Sequence, residues 1–300
     1  MNKFLAFVLS ITVSYSMFAQ KKDVVGANID QKAKTGEDFF KYANGGWINQ
    51  NPIPAAYSQW GIGNLVQEDV WTKLKQINIE ARNAGSRDAN TQKISDFYFT
   101  AMDTVTIEKV RLTPISTELA KINSIIDISS LLKTITYFHS IGISTSFDLG
   151  IYQDMKNSDV NALYLSQGGL GLPNRDYYFN KDARTNKIVT DYKTMHLPRM
   201  LSYIGSGFSS GATAVYNLEK ALATKSRKLE DLRDPYENYN KMSVADLNKL
   251  TPNINWSTIF SQLNIKTDSI IVGQPEFFVQ LNSVIKTIPL SAWKNYLRYN

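Results

Sequence analysis

The sequence predicts a mainly α, multi-helical lobe carrying one small β-hairpin. Three observations lead there. Apolar residues recur at three- and four-residue steps through most of the chain, the period of an amphipathic helix. One stretch near the middle switches to strict alternation, the period of a half-buried strand. Hydrophobic residues are 43% of the 300, against 20% charged, a balance that supports a buried core and excludes wholesale disorder.

Taken in chain order, the first element is an export segment. Lys3 is followed by an apolar run, Phe4 to Phe18, broken only by Ser and Thr, then by Ala19 and the polar switch Gln20-Lys21-Lys22-Asp23. This layout predicts a signal peptide over 1–19 cleaved after Ala19, with Ser16 as the alternative site. The run falls short of the roughly 20 residues that span a bilayer. An uncleaved anchor is the competing reading, and the absence of cysteine excludes a bacterial lipid anchor. The expected location is periplasmic or extracellular, with no stable membrane span after cleavage. Residues 20–36, polar and Lys-rich, read as a flexible lead-in to a domain over 37–300.

Helices follow. Val70, Leu74, Ile77 and Ala81 define one, and Ile94, Phe97, Tyr98, Ala101 and Met102 a second. Ser129 to Ile141 is a third, with Leu131, Leu132, Ile135 and Phe138 inward and Ser129 as cap. Ile143, Thr145, Phe147, Leu149 and Ile151 then alternate; a turn-rich stretch over 154–159 and a second apolar run, Ala162 to Leu165, complete the hairpin. Gly168-Gly169-Leu170-Gly171-Leu172-Pro173 reads as a loop. Leu218, Ala221, Leu222, Lys225 and Leu229 line one long helix, and Ser243 with Asp246 opens another. Ser269–Val272 is a strand candidate. Pro275 opens a helix through Phe278, Leu281 and Ile285, and Ser291 begins the last one. Its apolar pattern stops at Asn300, which suggests a chain cut short, with Trp293 and Leu297 left uncovered and prone to association.

Composition also removes function classes. Lys plus Arg number 33 against 27 Asp plus Glu, a net +6. That excess is dispersed, and its densest stretch, Lys225 to Arg233, includes Glu230 and Asp231, so no basic stripe for nucleic acid exists. With no cysteine, disulfides, thiolate metal sites and a cysteine nucleophile are excluded. His139 and His196 are the only histidines, neither belongs to a His-Glu-x-x-His helix, and both read as satisfied core or boundary residues. There is no Gly-x-Ser-x-Gly elbow and no phosphate loop; the Gly168 stretch runs into Pro173. The residues by themselves therefore offer no catalytic group and no metal ligand.

Two stretches carry more. Glu37-Asp38-Phe39-Phe40-Lys41-Tyr42-Ala43-Asn44-Gly45-Gly46-Trp47, with Asn51-Pro52-Ile53-Pro54, resembles the opening signature of the neprilysin and endothelin-converting-enzyme family of zinc metallopeptidases. Gly169-Leu170-Gly171-Leu172-Pro173-Asn174-Arg175-Asp176-Tyr177-Tyr178 resembles that family's second hallmark. Weaker matches follow at Asp234-Pro235, Tyr239-Asn240-Lys241-Met242 and Pro275-Glu276-Phe277, in order, from about residue 36 to 300. Where animal relatives have cysteines, Gly36 and Asn44 stand here.

The resemblance implies a bacterial, two-lobed enzyme enclosing a large cavity, of which this chain is the helical, substrate-enclosing N-terminal lobe. It implies zinc in the full-length enzyme, with ligands outside this chain, polarising the peptide carbonyl and activating water beside a glutamate base. The implied partners are oligopeptide substrates and the C-terminal catalytic lobe. The chain alone is expected to bind no zinc and cleave nothing. The alternative is a non-catalytic module that holds peptides or a partner. Trp47, Ile53, Tyr177 and Tyr178 are expected to be packing anchors, and Arg175 and Asp176 to fasten the loop. Ungapped extension of the first signature places Gln59 and Asn64 where family members hold an Arg and an Asp that recognise the substrate's C-terminal end. These two are the candidate substrate-binding residues.

Overall fold

Capping chemistry and apolar spacing set most element boundaries in the computed structural model, which describes residues 24–85 and 87–300. The export segment over 1–19 lies outside the described residues. The chain divides into two compact units at Ile107/Glu108, within the single domain expected over 37–300.

In the first unit, the expected lead-in holds a short helix in its described part, α1 (Val24–Asn28). It lies against α2 (Phe39–Gln50), where Asp38 caps the helix by accepting the Lys41 N–H. The Asp30 N–H donates to the Tyr42 carbonyl at 2.8 Å. A Cβ on Gly45 would lie 2.6 Å from Asp30 Cβ, and one on Gly46 would lie 2.7 Å from the Ala27 carbonyl oxygen. The paired glycines of the first signature therefore serve close backbone approach. The next helices, α3 (Ile62–Asn83) and α4 (Ala89–Met102), pack on each other. Their apolar faces exist as expected but are largely open: Ala81 is buried, while Leu74 is 50% and Phe97 79% exposed. One seam between two helices cannot cover an apolar stripe on each. Ile53, expected to anchor packing, is also exposed. Helix α5 (Thr104–Val110) spans the division between units.

The second unit holds the main core. Helix α6 (Ser116–Asn123) precedes α7 (Ile128–Ser140), which buries Leu131, Ile135 and Phe138. Its cap is Asp127 rather than Ser129: Asp127 accepts the Ser130 N–H, and Ser130 returns the bond to the Asp127 N–H. A carboxylate suits the positive end of a helix.

The expected hairpin forms as β1 (Phe147–Asp154) and β2 (Asn157–Gln167). Residues 143–146 stay outside β1. Two further strands, β3 (Asn240–Ser243) and β4 (Ser269–Val272), extend the hairpin into a four-stranded sheet of order β1-β2-β4-β3. β4 runs parallel to β2 and antiparallel to β3. β3 is too short and polar to carry a periodic signal.

Helices α8 (Ala183–Asp191), α9 (Leu197–Ile204) and α10 (Ala212–Ala223) follow. The long helix expected through Leu229 ends at Ala223, so Lys225 and Leu229 lie beyond it and Leu229 is exposed. Ser243 caps α11 (Val244–Leu250) by accepting the Asp246 N–H, followed by α12 (Trp256–Gln262) and α13 (Pro275–Thr287). The last helix, α14 (Leu290–Tyr299), corrects the expected open face. Trp293 and Leu297 are buried, in a helix packed on α6, α9 and α10. The apolar pattern is satisfied within this unit, so no association through that face is expected.

Candidate functional site

The second signature, Gly168 to Tyr178, is built around a buried carboxylate. Glu219 lies on the apolar stripe of α10 between Val215, Leu218 and Leu222, and is wholly buried. Its carboxylate accepts the Tyr178 hydroxyl at 2.9 Å and the Tyr192 hydroxyl at 2.8 and 3.0 Å. The Gly171 N–H also points to it. Burial pushes the Glu219 carboxyl up to about 7, against the opposing pull of the Tyr192, Tyr178 and Gly171 hydrogen bonds. Tyr178 also accepts the Leu172 N–H at 3.1 Å, so one carboxylate fixes both ends of the loop.

Only glycine fits at two positions here. Gly169 has φ +79°, and the Tyr296 hydroxyl spans its carbonyl at 3.0 Å and that of Thr145 at 2.9 Å. A Cβ on Gly171 would lie 2.0 Å from Tyr192 Oη. The glycines thus admit tyrosine hydroxyls rather than cradle a phosphate.

Arg175 and Asp176 fasten the loop as expected. Arg175 Nε donates to the Ala223 carbonyl at 3.3 Å, at the C-terminal end of α10, where a cation meets the helix dipole. Its guanidinium lies 5.0 Å over Phe179, with Asp176 at 3.7 Å. Tyr178 is buried and Tyr177 partly buried, both packing residues.

The weaker motifs converge nearby. Arg227 clasps Glu276 through Nε–Oε1 at 2.5 Å and Nη2–Oε2 at 3.2 Å. The Gln167 amide closes both backbone bonds with Arg227, at 2.6 and 3.1 Å. At the hairpin turn, buried Asp154 accepts the Lys241 ammonium, the Lys156 N–H and the Tyr239 hydroxyl, which hold its carboxyl down to about 2. Beside the signature loop opens a cleft of about 290 Å³, walled by Asp148, Gly168, Gly169, Arg175, Arg227 and Leu229 among others.

Sequence reasoning missed Glu219, Arg227 and Gln167. Glu219 left a usable signal: a charge inside an apolar helical stripe needs buried partners.

Gln59 and Asn64 lie in the first unit, at the N-terminal end of α3. Asn64 Oδ1 accepts the Gly61 N–H at 3.0 Å, half of a capping box, which occupies its oxygen. Gln59 is exposed. Beside it, Tyr57 stacks edge-on to Trp60 at 4.7 Å and donates its hydroxyl to Glu68.

The histidines are placed by packing. His139 lies 4.4 Å from the Phe147 ring, and desolvation lowers its pKa to about 4. It is not fully satisfied, because buried Nε2 has no partner in the structure. His196 is exposed and stacks on Tyr192. Among the described residues, no three His, Asp or Glu side chains gather as metal ligands would. The tyrosine–carboxylate network positions a loop; it holds no nucleophile with an adjacent base.

Residues 35–300 match the sequence profile of the N-terminal part of peptidase family M13. The chain belongs to peptidase family M13. Among curated M13 relatives, endothelin-converting enzyme 1 of Cavia porcellus is 30% identical over 281 residues, covering 88% of this chain and 36% of that protein. Neprilysin-3 of Drosophila melanogaster is 27% identical over 285 residues, 86% of this chain and 35% of its own. The chain thus spans little more than a third of the length of the M13 relatives it matches. The fold agrees with the crystal structure of Mycobacterium tuberculosis zinc metalloprotease Zmp1 bound to an inhibitor, with TM-score 0.81 and 24% identity over 91% of this chain and 42% of that one. It also agrees with PepO from Lactobacillus rhamnosis, TM-score 0.70, 15% identity, over 89% and 42%.

Proposed function

We propose that this chain is the substrate-enclosing part of an exported zinc metalloendopeptidase that hydrolyses oligopeptides. The observation that carries the reading is the M13 match over 35–300, joined to a second signature whose loop is held rigidly by Glu219 and its tyrosines. The M13 relationship supports zinc in the whole enzyme. The residues described here do not fit that ion: His139 Nε2 is buried against Phe147 and His196 stacks on Tyr192. The zinc ligands and the hydrolytic step are therefore assigned to residues outside this chain, and the catalytic lobe that carries them is its natural partner. What this chain contributes is a wall that admits peptides and excludes folded protein.

Gln59 and Asn64 are proposed to face the substrate's C-terminal end. Gln59 offers a neutral amide, and a hydrogen bond to a charged group is worth about 1.5–3 kcal/mol against about 1 for a neutral pair. The enzyme should therefore discriminate by less than about tenfold between peptides ending in a free acid and in an amide. In protein purified from the native host, kcat/KM for matched pairs should show this, and a zinc chelator should abolish both activities. Gln59→Arg should raise the acid preference by about tenfold. A large acid preference left unchanged in Gln59→Ala would remove the role assigned to this position.

Export has its own readout. The helices described include none long and apolar enough to cross a membrane, and the segment before Gln20 has signal-peptide layout. N-terminal sequencing of the native protein should begin at or near Gln20, and intact Met1 on cytoplasmic material would contradict export.

A further inference from the structure

The two outer edges of the sheet differ in their protection against pairing with another strand. β3 is four residues long and carries Lys241, a short charged edge of the kind that resists pairing. β1 is eight residues long, Phe-Asp-Leu-Gly-Ile-Tyr-Gln-Asp, with no lysine, arginine or proline. Its only irregularity is a register shift at Gln153/Asp154, at the far end.

The direction of its free backbone groups follows from β2. The Leu165 carbonyl accepts the Gly273 N–H, and the Gln167 N–H donates to Gln274, so the odd-numbered residues of β2 turn their polar groups toward β4. Their partners across the hairpin are Phe147, Leu149 and Ile151. Opposed residues of an antiparallel pair face together or turn away together, so all three turn N–H and C=O away from β2; Phe147 is buried, and Leu149 and Ile151 are the two that present them on the open side. An extended backbone is the complement of that array. Ile151 and Tyr152, 59% and 65% exposed, stand on opposite faces of the edge and offer apolar contact to alternate ligand side chains. At the Phe147 end the edge runs into the 290 Å³ cleft through Asp148. Arg227 is already clasped to Glu276 and Arg175 lies beside Asp176. Asp148, whose carboxyl accepts a hydrogen bond from Ser144 while partial burial raises its pKa, has no ion-pair partner among the described residues, so a cation at that end would be its first.

We propose that β1 is a docking edge for an extended oligopeptide, which adds to the sheet along Leu149–Ile151 and sets a basic side chain or amino terminus beside Asp148. The proposal rests on the peptidase reading for its ligand class alone. A second copy of β1 would satisfy the backbone groups equally but leave Asp148 without a cation, and the peptide satisfies both.

The test is binding to the 300-residue chain, read by fluorescence anisotropy with labelled Val/Thr octapeptides carrying one Lys or one Glu. N-methylation of one alternate set of peptide amides should weaken binding by about tenfold or more, and of the other set hardly at all. Ile151→Pro removes an outward N–H without touching the β2 ladder and should weaken binding comparably, whereas Ile151→Thr, which keeps that N–H and trims only the apolar contact, should weaken it severalfold less. Asp148→Asn should erase the preference for the Lys peptide. Equal tolerance of both N-methylated sets would overturn the proposal, and so would a wild-type dimer in sedimentation that Ile151→Pro converts to monomer. The N-methyl comparison stays informative even if the proline variant folds poorly. Absent binding alongside intact hydrolysis by the host-purified protein would remove the edge and keep the peptidase, and the converse result would do the reverse.

Discussion

Glu219→Ala is expected to lower the stability of the Glu108–Asn300 unit by about 3 kcal/mol or more. The carboxylate takes the hydroxyls of Tyr178 and Tyr192 in a wholly buried position, and each buried donor left without an acceptor costs about 1–3 kcal/mol. Rotation of the hydroxyls and entry of water into the small void keep the sum from reaching its maximum. Glu219→Gln retains one carbonyl acceptor and should cost less, about 1–2 kcal/mol, because its amide group faces two hydroxyls that can turn to accept. Urea unfolding followed by near-UV circular dichroism measures both. A loss below about 1 kcal/mol in Glu219→Ala would show that the signature loop is held by other contacts.

The second large effect is on the pH profile, where two buried groups oppose each other. The Glu219 carboxyl, raised from 4.5 to about 7 by burial, binds its proton more tightly in the folded state. Its contribution is fully present below about 4.5 and is lost as pH rises through about 7. The His139 ring, lowered from 6.5 to about 4 by desolvation, is held neutral by the fold. Its contribution is present above 6.5 and is lost as pH falls through about 4. Each group supplies a slope of up to about 1.4 kcal/mol per pH unit, with opposite sign, across nearly the same window. Wild-type stability should therefore be almost flat between about pH 4.5 and 6.5. Glu219→Gln should make it climb with pH through that window, and His139→Phe should make it fall. Urea midpoints at half-unit pH steps test this, and two variant profiles as flat as the wild type would mean that neither group titrates as its burial requires.

How much was legible from sequence differs between the units for physical reasons. Helices α7, α13 and α14 were readable because a single face of each meets one continuous core, so burial repeats at the helical period. The faces of α3 and α4 were equally readable as patterns, yet burial did not follow, since a pattern states what can be covered and not what covers it. β3 was not readable, because four mostly polar residues acquire strand geometry only when β4 lies beside them. The C-terminal stop of the long helix at Ala223 escaped for a similar reason: Leu229 continues the spacing, but the Arg175 bond to the Ala223 carbonyl comes from 48 residues away.

The sequence by itself determined the helical class, the hairpin, the export segment as an expectation, and the kinship with M13 peptidases through two short signatures. These are properties of local periodicity and of residue order, and both survive without knowledge of any contact. Tertiary structure alone decided why the signatures have their residues: Gly45 and Gly46 for the approach of 27–30, Gly169 and Gly171 for tyrosine hydroxyls, Arg175 for a helix end. It also decided that Glu219 is the hub. A carboxylate's role depends on what desolvates it and which donors reach it, and those come from Tyr178 and Tyr192, 41 and 27 residues away, distances at which sequence carries no geometry.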